Sequence, residues 1–246
     1  MREKRRRESV KSEVAERRLP GIRGFFAAPM SGQEIEERSL EIIDRQAPPH
    51  DFTRQEWEVV RRMIHTSGDF TLMDDVQFSK DAILSAVKAL QCCSPIYADS
   101  NMIRSGLSMA RLRSICRGYG RDHIFCHIAD RDVARQAEKT HLPRSLFAVR
   151  KAKPVLDGAI ALFGNAPIAL LELNRLIIEE NVRPSVIVAM PVGFVHVVES
   201  KEELLSLGVP CITLMGRRGG SPLAVSVIHA LCTVAAQIGG VAGKKL

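Results

Sequence analysis

The spacing of apolar residues divides the chain near residue 95. Before it, apolar positions recur at helical intervals. Ser31-Gly32-Gln33-Glu34 has the form of a capping box and opens a first helix, with Ile35, Leu40, Ile42 and Ile43 on its apolar positions. Pro48-Pro49 stops it. A second capping box, Thr53-Arg54-Gln55-Glu56, opens a helix whose buried stripe is Trp57, Val60, Met63 and Ile64. A third helix is expected with Ser79 as its cap and Ile83, Val87 and Leu90 inward. From residue 95 short unbroken apolar runs take over. Strands are expected at 95–98, 123–127, 158–163, 185–189 and 211–214. Helices are expected near 129–139, 143–154, 166–181, 199–206 and 220–238. Continuous apolar strands alternating with helices predict an α/β fold, a doubly wound parallel sheet of about five strands covered on both faces.

Such sheets take their ligands beyond the carboxyl ends of the strands, and the distinctive residues fall there. Gly164-Asn165-Ala166-Pro167 follows the third strand, and Met190-Pro191-Val192-Gly193-Phe194-Val195 the fourth. Gly216-Arg217-Arg218-Gly219-Gly220-Ser221 follows the fifth and leads into a helix. Glycines let backbone amides approach a ligand, and a helix N-terminus favours anions. None of the loops is a dinucleotide fingerprint or a P-loop, so a nucleotide is not the natural ligand.

Composition changes this picture little. The formal net charge is +7, and residues 1–24 carry nine Lys/Arg against four Glu, so most of the excess is in the first residues. The domain itself is near balance, which argues against a nucleic-acid partner. Residues 1–30 are expected to be a basic, poorly ordered extension, and 31–240 one α/β domain. The first residues lack the apolar core of a secretory signal, and no apolar run is expected to be long enough to span a bilayer. The expectation is a soluble, cytoplasmic protein without a membrane partner. The six cysteines, Cys92, Cys93, Cys116, Cys126, Cys211 and Cys232, show no metal spacing and are read as reduced thiols, so no metal site is expected.

The candidate chemistry centres on Met63-Ile64-His65-Thr66-Ser67-Gly68-Asp69-Phe70. His65 comes at the end of an amphipathic helix, where the chain turns out through small and hydroxyl residues. An imidazole gives and takes a proton near neutral pH. Arg62 lies three residues before it, on the same helical face.

Together these segments resemble the precorrin-8X methylmutase family of corrin biosynthesis. The resemblance runs from about Ile35 to Val234. It rests on Glu37-Arg38-Ser39, Arg62-Met63-Ile64-His65, Arg144-Ser145, Gly164-Asn165-Ala166-Pro167, Pro191-Val192-Gly193-Phe194-Val195, Glu199-Ser200-Lys201 and Gly216-Arg217-Arg218-Gly219-Gly220-Ser221, in that order. It implies a flavodoxin-like fold, a homodimer with sites near the subunit interface, and no cofactor. It implies an isomerase that moves a methyl group from carbon 11 to carbon 12 of the macrocycle. His65 matches the family's catalytic histidine, and Ser39 and Arg62 match substrate contacts. The substrate's carboxylates make Arg104, Arg144, Arg217, Arg218 and Lys201 candidate partners, with Ser145, Asn165, Gly193, Gly219, Gly220 and Ser221 as further contacts. His65-Thr66-Ser67-Gly68-Asp69-Phe70 and Asp99-Ser100-Asn101-Met102 look more like the branch acting on cobalt-precorrin-8, which gives cobyrinate, than the metal-free branch, which gives hydrogenobyrinate. The chain departs from the family pattern at Ile168, where threonine is common, and in its basic extension. Two readings of other classes share much of the pattern. One is a non-catalytic corrinoid carrier, which would not need His65. The other is a binding module for a phosphorylated ligand, built on residues 216–221.

Overall fold

The computed structural model describes residues 21–242. The first part of the expected basic extension, residues 1–20, lies outside them. The chain divides after Arg45 into two compact units. The described part of the first holds α1 (Gly21–Ala27) and most of α2 (Gly32–Gln46). The predicted capping box is present: the Ser31 amide donates to Glu34 Oε2 at 2.6 Å, and the Glu34 amide to Ser31 Oγ at 3.2 Å. Ser39 Oγ donates to its own helix, to the Ile35 carbonyl at 2.8 Å.

The second unit begins with α3 (Arg54–Ser67), which carries the second capping box on Thr53 and buries Val59, Val60, Met63 and Ile64. Trp57 is only half-buried, and His50 stacks on its indole with ring centroids 4.2 Å apart. A 3-10 turn (Phe70–Asp74) leads to β1 (Val76–Phe78), and α4 (Ala82–Gln91) follows. Ser79 does not cap α4. Its hydroxyl donates to the Val209 carbonyl and accepts from the Cys211 amide, while Asp81 at the helix start makes no side-chain cap.

The remaining elements are β2 (Ile96–Ala98), α5 (Asn101–Gly106), α6 (Met109–Ile115), β3 (Ile124–Phe125), α7 (Arg131–Thr140), α8 (Arg144–Leu156), β4 (Ile160–Phe163), α9 (Pro167–Glu180), β5 (Val186–Ala189), α10 (Val197–Ser206), β6 (Cys211–Leu214) and α11 (Ser221–Ala242). The sheet order is β1-β6-β5-β4-β2-β3. Five strands are parallel and β1 pairs antiparallel with β6, so the sheet has six strands rather than about five. Counted by themselves, the parallel strands run 2-1-3-4-5, the flavodoxin-like order. Chain direction across the sheet reverses at β2, between β3 and β4.

Alternate strand residues face opposite sides. Tyr97, Ala161, Phe163, Ile187 and Ala189 pack with α8, α9 and α10 on one face. On the other, α11 and α4 cover β4 and β5, and α3 lies along α11. α11 corrects the expectation about apolar runs: Ser221–Gly239 is long and apolar enough to cross a membrane, and 56% of that window is buried inside the protein. Here that apolar surface is used as the central core helix, packed against α3, α4, α5 and α6. The cysteines also differ from expectation. Cys93 and Cys116 form a disulfide with Cα atoms 5.8 Å apart, joining the loops that follow α4 and α6.

Candidate active site

The carboxyl ends of β2, β4, β5 and β6 form one edge of the sheet, and their loops interlock there. At the reversal point Asp99 follows β2. It is almost fully buried, and its carboxylate accepts the amides of Gly164 (3.1 Å), Asn165 (2.9 Å) and Ala166 (3.2 Å) at the start of α9. Burial pushes this carboxyl up to about 6, the three amides pulling it the other way. The amides that a doubly wound fold commonly offers to a ligand are thus filled by the protein's own carboxylate. The next residue, Ser100, caps α5 by accepting the Ile103 amide, and its hydroxyl lies 2.9 Å from Ser221 Oγ.

The loop from β6 to α11 is held from three sides. Lys201, on α10, is fully buried, and its ammonium donates to the carbonyls of Leu214 (2.5 Å), Gly216 (2.9 Å) and Arg218 (2.8 Å). Burial pushes this ammonium down to about 8, with Asp75 pulling it the other way. Arg218 donates to Asp69 Oδ2 and Asp75 Oδ2, each at 2.6 Å, and to the Thr71 hydroxyl and carbonyl. Gly219 is pressed against the preceding loop: a Cβ there would stand 2.3 Å from the Met190 oxygen and 2.4 Å from that of Pro191. The Gly220 amide donates to the Met190 carbonyl at 2.8 Å.

These contacts engage several of the candidates within the protein. Lys201 and Arg218 are internal clamps whose donors the protein itself engages. Gly219 serves loop-to-loop packing, and the Gly220 amide is bonded within the protein. The Asn165 amide goes to Asp99, while its residue is exposed.

Two clefts open beside this loop. One, of about 330 Å³, is lined by Arg62, Thr66, Met102, Gly106, Ser221, Pro222, Val225, Ser226 and His229. The other, of about 390 Å³, is lined by Ser67, Asp69, Leu72, Val192, Gly193, Phe194, Leu214, Arg217, Arg218, Gly219 and Leu223. The last turn of α3 contributes to both. Gly68, in the left-handed region at φ 68°, ends that helix by donating its amide to the Ile64 carbonyl at 2.7 Å. His65 sits on that turn, on the face opposite the buried Met63 and Ile64, and is exposed to solvent. It lines neither cleft. It stands one residue from Thr66 and three from Arg62, which do.

The fold therefore brings Arg62 and Ser221 to one cleft, and Gly193, Arg217, Arg218 and Gly219 to the other. It does not bring Arg104, Arg144, Ser145 or Asn165 to either. Arg104 is exposed on α5, and its carbonyl accepts from Arg121 at 3.0 Å. Arg144 is exposed at the start of α8, with Ser145 buried behind it. Ser39 belongs to the first unit, where its hydroxyl is used within α2. The sequence reading missed Met102, Phe194 and His229 as lining residues. His229 was detectable as the lone histidine in the apolar run of α11, and its Nε2 accepts the Ser108 amide at 3.1 Å. Among the described residues no group of three or more His, Cys, Asp or Glu could hold a metal ion.

The chain matches the family model described as "CbiC: Precorrin-8X methylmutase" over residues 34–234. It is similar to the cobalt-precorrin-8 methylmutase of Leptospira interrogans, 41% identical over 217 residues that cover 85% of this chain and 96% of that protein. It is also similar to the precorrin-8X methylmutase of a Sinorhizobium species, 33% identical over 202 residues, covering 81% and 93%. The crystal structure of a precorrin-8X methylmutase from Thermus thermophilus superposes with a TM-score of 0.77 at 42% identity, covering 85% of this chain and 98% of that one. A match this complete in sequence and in fold assigns the family: the chain belongs to the precorrin-8X methylmutases.

Proposed function

We propose that this protein is the isomerase of corrin biosynthesis that moves a methyl group from carbon 11 to carbon 12 of cobalt-precorrin-8, giving cobyrinate. The observation that carries the reading is the position of His65. It projects from the capped last turn of α3, next to two residues that line a cleft at the carboxyl edge of the sheet. The chemistry needs little else. In a methyl shift around a conjugated ring, one carbon–carbon bond breaks as the next forms, so no nucleophile is needed. Protonation of the macrocycle by His65 would change its electronics and favour the rearranged tautomer, as a general acid does. Arg62 and Arg217 would pair with peripheral carboxylates. We read the protein as a cytoplasmic homodimer, in which a second copy covers the exposed face around His65.

Membership in a family of methylmutases favours an enzyme over a passive carrier. The Gly220 amide, already bonded to the Met190 carbonyl, speaks against a phosphorylated ligand on residues 216–221. One observation favours the metal-free substrate instead: the Thermus thermophilus structure, 42% identical, is of a precorrin-8X methylmutase. Against it stand the relatives named for cobalt-precorrin-8, such as those of Leptospira interrogans and Priestia megaterium at 41% and 40% identity.

The test is anaerobic single turnover with each substrate, followed by absorption spectroscopy. Faster conversion of cobalt-precorrin-8 is expected. Conversion of neither substrate would overturn the reading, and conversion of precorrin-8X alone would move the protein to the other branch.

A further inference from the structure

Nearly every group around Arg217 is committed to holding its loop in place. Lys201 binds the carbonyls on both sides of it, those of Gly216 and Arg218. The next side chain, Arg218, is spanned by Asp69 and Asp75. The Arg217 carbonyl itself accepts the Gly193 amide at 3.3 Å, which ties this loop to the one after β5. Arg217 and Phe194, from the paired loops, are exposed at the mouth of the 390 Å³ cleft. Phe194 is 82% exposed, and the Arg217 guanidinium lies 5.4 Å from its ring centroid. Val192 and Val195 beside it are exposed as well.

A large apolar ring held open to water on a backbone this firmly tied is not explained by packing. The cation over the ring keeps both groups oriented and leaves the rest of the phenyl surface open. A ligand that fits must offer an extended apolar or conjugated surface with an anionic group at its edge.

We propose that Phe194 and Arg217 form a two-part recognition element for the substrate. Phe194 packs against the conjugated macrocycle, and Arg217 pairs with one of its peripheral carboxylates. The inference rests on the methylmutase reading above and adds a specificity-determining residue, Phe194, to it. The chemistry is that of each group: aromatic rings bind flat conjugated surfaces, and guanidinium forms charge-assisted bonds with carboxylate. The 390 Å³ cleft is smaller than a whole tetrapyrrole, so it takes one edge of the macrocycle and leaves the ring face on Phe194.

The test compares wild type with Phe194→Ala, Phe194→Trp and Arg217→Ala, using cobalt-precorrin-8 for kinetics and cobyrinate for binding. Phe194 is exposed, so the variants should fold, which circular dichroism checks. Phe194→Ala should raise KM and weaken product binding by about 10-fold, a normal loss for one aromatic contact, with a smaller change in kcat. Phe194→Trp should restore binding. The absorption band of bound cobyrinate should move toward its free position in Phe194→Ala. Arg217→Ala should weaken binding and reduce its dependence on salt. Unchanged KM and product affinity in Phe194→Ala would overturn the proposal while leaving the methylmutase reading intact. So would a shift from dimer to monomer in light scattering, which would assign the ring to a subunit contact. If wild type converts and binds no corrinoid, the methylmutase reading fails and the proposal falls with it.

Discussion

The carboxylate of Asp99 accepts the amide of Gly164 at 3.1 Å across the point where strand order reverses. This bond, with those from Asn165 and Ala166, fixes the loop after β4 from inside. Gly164 in turn lies against the backbone of Ser221, where a Cβ would come within 2.7 Å of the Ser221 Cα. One buried anion therefore orders two of the loops at the edge of the site.

Its charge state gives a prediction. Burial raises Asp99 from 3.8 to about 6. Between those values the native protein holds a proton that the unfolded chain has released, so stability falls as pH rises through that window. Asp99→Asn cannot titrate. Denaturant unfolding at pH 4 and pH 7 should show wild type losing stability relative to the variant as pH rises. A constant difference would mean that the carboxyl keeps its ordinary pKa.

Lys201→Met removes the ammonium and leaves the carbonyls of Leu214, Gly216 and Arg218 without their donor. Unpaired buried acceptors cost about 1–3 kcal/mol each, partly offset by release of a buried charge, so a net loss of about 2–4 kcal/mol is expected. The pH dependence has the opposite sign to that of Asp99. Burial lowers Lys201 from 10.5 to about 8, so between those values the unfolded chain holds the extra proton and wild-type stability rises with pH relative to the variant. Chemical denaturation at pH 7 and pH 9.5 checks both statements. A variant as stable as wild type at pH 7 would remove Lys201 from its clamping role.

Gly219→Ala should separate the loops after β5 and β6. The added methyl meets the carbonyl oxygens of Met190 and Pro191, and neither can rotate out of the way. A destabilisation of about 1–3 kcal/mol is expected, typical of overpacking, together with weaker corrinoid binding. Thermal unfolding and product titration measure the two effects. Wild-type values in both would show that the loops move apart freely.

His65 is exposed, so His65→Ala and His65→Asn should change stability by no more than about 0.5 kcal/mol. Both should still bind product through its carboxylates. Both should lose turnover by about 10²-fold or more, because an amide cannot transfer a proton in this range. Single-turnover rates decide the point: a folded His65→Asn with the wild-type rate would rule out proton donation by His65.

What the sequence by itself determined is whatever depends on neighbours along the chain. The two capping boxes on Ser31 and Thr53 need only residues three apart, and both formed. The five parallel strands were legible because burial on both faces demands an unbroken apolar run. The motifs at their carboxyl ends carried the family. β1 was not legible, because its three residues are held by β6, more than 130 positions away. Nor was the Cys93–Cys116 bridge, since adjacent thiols give no sign of a distant partner. The sequence also could not rank its cations. Arg217 and Arg218 are adjacent and chemically identical, yet one faces the cleft mouth over Phe194 and the other spans Asp69 and Asp75. Lys201 reads as a candidate partner for a substrate carboxylate, and in the fold it is a buried cation on α10 that donates to three carbonyls at the end of β6 and in the loop after it. A charged side chain takes its role from the groups that replace its water, and only the tertiary structure brings those groups together.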